Sequence, residues 1–337
     1  MREALFIKKN ADKWQEYQHL QTDDPDEQAE RFITLLDDLA YSKTFYPQSK
    51  VTKWINGIAA NIYQKIYQNR KEKYSRLFTF WKTELPLVMY KHRQVLYFTF
   101  GLFMLFIGLA VWSSTQDFKF IKGFIGEGYV EMTEEKISNG DPFGVYRDGD
   151  KFSMFARIMY NNITISFIQY ASGIFFGLGT FYWIFKDALL VGTFQSLFFL
   201  KGIGWQSVTV IWMHGTMEIS SMILSGMAGF ILAKGLIFTG TYTRKESFMI
   251  HMKDSVKLII SMVPLLFLAA FFESYITYLM SNAYDNTANL SIPIWLGIII
   301  LVTMMSGIIW YFVIYPLQVG RSQKKTEIAP TTQLMSL

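Results

Sequence analysis

The sequence predicts an all-α fold: a polytopic membrane helix bundle of about six transmembrane helices, preceded by an N-terminal cytoplasmic helical domain. Three observations carry this prediction. Of 337 residues, 51% are hydrophobic and 17% aromatic, yet charge is crowded up to Arg93 and the long apolar runs come after it. That is the profile of a soluble part joined to membrane spans. The runs themselves approach or exceed the roughly 20 residues that a bilayer crossing takes, and basic residues gather beside their ends, as orientation signals do.

The formal net charge of +5 therefore reads as topology, and no nucleic-acid partner is expected. The chain has no cysteine, which excludes disulfides, thiolate metal sites and a cysteine nucleophile. The first residues lack a short apolar run followed by small residues, so no cleavable signal peptide is expected.

Residues 1–93 read as a cytoplasmic α-helical domain that ends in an interfacial segment. Leu5, Phe6, Trp14 and Tyr17 lie among charged residues at amphipathic spacing. Asp23-Asp24-Pro25-Asp26 is a turn and helix start, followed by Phe32, Leu35, Leu36 and Leu39 at helical intervals. Tyr46-Pro47-Gln48-Ser49 breaks that run, and a third helix carries Trp54, Ile55, Ile58, Ile62 and Ile66 in one stripe. Leu77 to Met89 sets aromatic residues beside Arg76 and Lys82, which suits a segment lying in the membrane interface.

Residues 94–316 read as the transmembrane domain, with spans near 95–112, 162–185, 188–204, 208–233, 255–280 and 292–316. Before the first span, Lys65, Arg70, Lys71, Lys73, Arg76, Lys82, Lys91 and Arg93 outweigh Glu72 and Glu84, so the N-terminal side is cytoplasmic. Segment 113–157 is then extracytoplasmic. Phe118 to Ile125 forms a short interfacial helix there, and Gly140-Asp141-Pro142 and Asp148-Gly149-Asp150 are turns without the calcium-loop spacing of an EF-hand. Lys186-Asp187 reads as a tight turn. The run after it is short and either spans or is re-entrant. Charge selects spanning, because Lys234, Arg244, Lys245, Lys253 and Lys257 then lie on the cytoplasmic side. Residues 317–337, with Arg321, Lys324 and Lys325, form a cytoplasmic tail.

One stretch stands out inside this apolar frame. His214 and Glu218 are four residues apart in His214-Gly215-Thr216-Met217-Glu218, on one helix face. Ionisable groups within a bilayer are costly and usually mark function. The topology brings Glu273 and Gln169 to the same level, with Asn161 and Asn162 above them at the outer mouth. Gly173, Gly177 and Gly179 read as helix-packing glycines, and Gly215 is expected to let a neighbouring helix approach. Three readings remain open: an interhelical clasp, a site for a lipid head group, peptide or proton, and a hydrolytic or metal site. The H-E-x-x-H spacing is absent and one histidine is short of nitrogen ligands. Neither a G-x-S-x-G elbow nor a G-x-x-x-x-G-K-[ST] loop occurs. No residue is assigned a catalytic role, and no metal and no cofactor are expected.

These residues carry a resemblance. Met1 to Trp14, Leu39 to Pro47, Asn161-Asn162-Ile163, Gly173 to Thr180, His214-Gly215 with Glu218, and Phe272-Glu273 together resemble the stage II sporulation protein M family. The resemblance implies a multi-pass protein of the inner (cytoplasmic) membrane. The charge pattern places both termini in the cytoplasm; contact with the lipid bilayer and with protein partners in the envelope or cytoplasm is expected, and a homo-oligomer is compatible with this. The sporulation member acts with peptidoglycan-degrading partners during engulfment. Most relatives occur in organisms that do not sporulate, so that role is not carried over. The expectation is an integral membrane scaffold or permease-like subunit of a cell-envelope complex. The alternative is a proton-coupled transporter or intramembrane hydrolase using His214, Glu218 and Glu273.

Overall fold

A computed structural model describes residues 3–19, 22, 24–68, 75–144, 150–284 and 290–323. Asp23, Arg70, Lys71, Glu72, Lys73, the Asp148-Gly149 pair, Lys324 and Lys325, and the side chains of Lys65 and Ile66, lie outside the described residues. Among the described residues every regular element is helical. The chain divides into two compact units, Met1–Phe78 and Thr79–Leu337.

The first unit contains α1 (Glu3–His19), α2 (Pro25–Phe45) and α3 (Lys50–Gln68). Asp24 caps α2 by accepting from the Asp26 backbone N–H at 3.0 Å, with Pro25 in the first turn, where its missing N–H is not needed. The helices close on Trp14, Leu35 and Ile55, all fully buried. The buried Ser42 and Thr52 hydroxyls bond each other, and Thr52 also reaches the Tyr46 carbonyl. The break between α2 and α3 is thereby tied into the packing.

The short α4 (Ser75–Thr79) lies across the division between the units, and the second unit continues with a π turn (Phe80–Glu84) and α5 (Leu85–Lys91). The compact boundary falls before Arg93 because Leu85, Val88 and Met89 are buried in the bundle core. Among the described residues, five helices are long and apolar enough to cross a membrane. They are α6 (Arg93–Gln116), α10 (Leu178–Leu200), α11 (Gly204–Ile237), α12 (Arg244–Tyr275) and the helix that opens with α14 (Ile294–Ile309) and runs to Gln323. α11 is the most enclosed of these and packs on α6, α10, α12 and α14. Between α6 and α10 lie α7 (Phe118–Ile125), α8 (Glu127–Ser138) and α9 (Lys151–Ala171); α13 (Thr277–Ser281) follows α12. The protein is an all-α polytopic membrane bundle.

The break between α9 and α10 differs from the expected one. Instead of a span over 162–185 and a turn at Lys186-Asp187, α9 ends at Ala171 and the chain turns through Ser172–Gly177. Phe176 (φ 53°) and Gly177 (φ 84°) both have left-handed backbone there, which glycine adopts freely and phenylalanine only under strain. Lys186 and Asp187 are absorbed into α10: the Lys186 ammonium lies 4.8 Å from the Trp183 ring centroid, and Asp187 is buried. A charged pair inside an apolar run had the look of a turn, whereas the backbone reversal used small residues that read as packing.

At the end of the bundle where α6 starts, α5, α6 and α12 are clipped together by charge. Asp254 accepts from Lys91 at 2.6 Å and pairs with the buried His92 ring at 3.0 Å; Lys257 meets Glu84 at 2.7 Å. Burial holds His92 below the ordinary imidazole range, although Asp254 beside it pulls the other way. A folded state that prefers the neutral ring keeps that stability above the unfolded pKa and loses it as pH falls below about 6.5. Asp254→Ala is expected to cost about 1.5–3 kcal/mol, the range for a hydrogen bond to a charged group, and to steepen the acid-side loss. Thermal melts of detergent-solubilised protein between neutral and mildly acidic pH check this; an unshifted melt would mean that the clip is idle.

Candidate functional site

The polar cluster is built from α9, α11, α12 and α13. His214 and Glu218 lie one helical turn apart on α11, while Glu273 near the end of α12 and Thr277 on α13 repeat that spacing. The two segments run antiparallel with matching steps. His214 pairs with Thr277, Nδ1 to Oγ1 at 3.0 Å, and Glu218 comes beside Glu273. One ligand-type atom each from His214, Glu218 and Glu273 lies within 4.8 Å of the other two. His214 is buried, whereas both glutamates are half-buried.

Hydrogen bonds orient these groups. The Thr277 hydroxyl donates to the Phe272 carbonyl at 3.1 Å, so its lone pair accepts from the imidazole N–H. The tautomer that satisfies both contacts carries the proton on Nδ1 and the lone pair on Nε2. The Asn162 amide donates to Glu218 Oε1 at 2.6 Å. Such a chain of supports holds the carboxylate and the imidazole in set directions.

Two cavities meet at the pair of carboxylates. One, of about 420 Å³, is walled by α10 and α11 and bordered by Tyr129 of α8; His214, Gly215, Glu218 and Glu273 line it. The other, of about 370 Å³, is lined by Arg157, Asn161 and Asn162 of α9 together with Glu218 and Glu273. Glu218 and Glu273 therefore face both.

Of the residues singled out in the sequence, the structure brings together His214, Glu218, Glu273, Asn161 and Asn162. Gln169 goes elsewhere. It is fully buried near the end of α9, its carbonyl accepts from Thr180 at 2.8 Å, and among the described residues neither side-chain amide atom has a hydrogen-bond partner. It is absent from both cavity walls because Asn162 is the α9 residue level with Glu218, and Gln169, seven residues on at about 1.5 Å each, lies about 10 Å further along the helix. Gly173 and Gly177 pack where small residues are needed: a Cβ on Gly173 would lie 2.2 Å from the Gly229 carbonyl oxygen, and one on Gly177 3.2 Å from the Ala233 Cβ. Gly179 is crowded by its own turn, at 2.6 Å from the Ser172 Cβ. Gly215 admits no neighbouring helix. A Cβ there would meet nothing within 4 Å, because the position opens on the cavity.

Thr277, Arg157 and Tyr129 were missed. A signal existed for Thr277, since its distance from Glu273 repeats that from His214 to Glu218. Tyr129 carried none, as its place depends on how α8 folds back. The nearby serines are spent on structure: Ser220 and Ser221 bond carbonyls of α11, and Ser225 bonds the Ser166 carbonyl.

Comparison with known proteins adds three findings. The family described as Stage II sporulation protein M matches residues 98–278, a range that contains every cluster residue. A domain of unknown function, DUF8413, matches residues 4–68. An uncharacterized protein of Methanocaldococcus jannaschii is 31% identical over 160 residues, 47% of this chain and 89% of that protein. No solved structure matches the chain.

Proposed function

The chain belongs to the stage II sporulation protein M family, and on that premise we propose that it is a permease-like scaffold subunit of a cell-envelope complex, with His214, Glu218 and Glu273 as its ligand site. One observation carries the reading: both carboxylates line two cavities at once. A bare clasp has no need of space on either side. Membrane polar contacts of the clasp type contribute only about 0.6–2 kcal/mol, little return for placing two carboxylates and an imidazole in apolar surroundings.

The charge pattern supports an orientation for this reading in the inner membrane. Arg93, Lys234, Arg244 and Lys245 lie at the ends of α6, α11 and α12, and Lys253 and Lys257 follow within the first half of α12; the positive-inside bias assigns this side to the cytoplasm. With α9 taken as a sixth, inward-running crossing between α8 and the Ser172–Gly177 turn, residues 1–93 and 317–337 are both cytoplasmic, and the cluster sits in the outer half of the bilayer.

The absence of cysteine makes the test direct. Single cysteines at Asn161, Gly215 and Leu232 are exposed to a membrane-impermeant maleimide in right-side-out vesicles. Asn161→Cys and Gly215→Cys should label, and the buried Leu232→Cys should not. Labelling at Asn161 with none at Gly215 would leave a closed clasp and defeat the ligand-site reading. For the scaffold part, solubilisation in mild detergent should retain defined envelope partners; a clean, partner-free monomer would count against it.

A further inference from the structure

We propose that His214, Glu218 and Glu273 bind one divalent first-row transition-metal ion, with zinc the best fit. The proposal deepens the ligand-site reading above and rests on it. It also departs from the sequence expectation of no metal, which was set by the shortage of nitrogen ligands.

The argument begins with charge. Two carboxylates held side by side among apolar helices repel each other, a neutral imidazole next to them brings no charge to offset theirs, and Arg157 across the smaller cavity is a single positive charge against two. A single divalent cation cancels both carboxylates while the neutral imidazole completes the shell, so the ion and its three ligands together have no net charge. That is the state a bilayer interior tolerates at least cost.

Geometry agrees. The three candidate ligand atoms lie within 4.8 Å of one another. Ligands around zinc sit roughly 2.0–2.2 Å from the ion and therefore about 3.4 Å apart in a tetrahedron. Small side-chain rotations of about an ångström close the difference, and the cavity beside Gly215 gives room for them.

The supporting hydrogen bonds are those a metal site requires. A ligating histidine donates its other ring N–H to an acceptor, which fixes the tautomer and aims the ligating nitrogen. Here Nδ1 donates to Thr277, itself committed to the Phe272 carbonyl, so Nε2 carries the lone pair. Glu218 is held on its far side by Asn162. The donor set selects the metal. An imidazole nitrogen suits zinc and its neighbours, whereas magnesium and calcium take all-oxygen shells. Three protein ligands leave a fourth position for water or an incoming group, as in open zinc sites.

The full-length protein, purified in detergent and stripped with chelator, is titrated with zinc and, separately, with cobalt as a visible spectroscopic probe. We expect one equivalent bound, unchanged by millimolar magnesium. His214→Ala and the double variant Glu218→Gln, Glu273→Gln should each weaken binding at least 100-fold. Thr277→Val, which touches no metal, should weaken it about 10–100-fold, the usual effect of losing a supporting hydrogen bond. X-ray absorption of the zinc-loaded wild-type protein needs no variant, and should give a shell of one imidazole nitrogen and carboxylate oxygens. Absence of binding to wild-type protein, equal binding by the variants, or a shell without imidazole would overturn the proposal. If the maleimide reaches Gly215→Cys and zinc does not bind, the metal assignment fails while the ligand site stands. If the maleimide is blocked, the ligand site itself fails.

Discussion

Gly173→Ala is expected to destabilise the bundle by about 3 kcal/mol or more, whereas Gly215→Ala is expected to leave it unchanged or slightly firmer. An added Cβ at Gly173 would come within 2.2 Å of the Gly229 carbonyl oxygen and 2.8 Å of two further Gly229 backbone atoms. No rotamer relieves a clash with backbone, so the turn after α9 must lift off α11. Overpacking usually costs about 1–3 kcal/mol, with the larger values where nothing nearby can yield. Lifting the turn also threatens the bonds that Ser172 and Thr180 make to the Gln169 carbonyl. At Gly215 the added methyl group meets open space. Removing a glycine from a helix interior is worth roughly 0.5–1 kcal/mol in the favourable direction. Thermal shifts of the two variants in one detergent separate these cases. A Gly173→Ala protein that melts with the wild type would mean that the turn and α11 are not in backbone contact.

Trp14→Ala is expected to cost the first unit about 3–5 kcal/mol, the range for truncating a buried aromatic residue. Trp14 is fully buried, with Phe6 and Trp54 packed edge-on at 5.2 and 5.8 Å between ring centroids. Its indole N–H donates to Asp38 at 2.8 Å, and Lys13 reaches the same carboxylate oxygen at 2.6 Å. Stability of about 0.05–0.15 kcal/mol per residue gives a unit this small little to spare. Limited trypsin digestion of the whole protein reads the outcome as loss of the protected N-terminal fragment. Trp14→Phe keeps a ring in place and forfeits mainly the hydrogen bond, so it should cost nearer 1 kcal/mol. Equal protection of Trp14→Ala and wild type would show that the core is not centred there.

The legible parts of the fold are those where one residue type dictates one local outcome. Asp24-Pro25 marks the start of α2, Pro47 interrupts the helices around it, and Asp117 opens α7 by accepting from the Lys119 N–H. The reversal at Ser172–Gly177 was hidden because half of it rests on Phe176, a residue that gives no warning of left-handed backbone. Lys186 and Asp187 misled for the opposite reason. Charge in an apolar run usually ends a span, but here one group lies over Trp183 and the other is buried. Gln169 falls away from the cluster because α9 meets Glu218 through Asn162, two turns earlier on the helix. His214, Glu218 and Glu273 could be singled out because ionisable residues are conspicuous against apolar sequence. Their surroundings could not, since cavity walls come from whole helices in particular rotations.

The matched steps of α11 and the α12–α13 segment make the cluster a gauge of register. Tilting the helices slightly would loosen both pairs by similar amounts. Sliding α11 by one turn, about 5.4 Å, brings either His214 level with Glu273 or Glu218 level with Thr277, and leaves the other α11 residue facing neither. The arrangement of His214 with Thr277 and Glu218 with Glu273 therefore exists in one vertical alignment only. Any motion that ratchets α11 along its neighbour assembles or dismantles all of it in a single step, and an ion or proton held there would act as a latch on that motion.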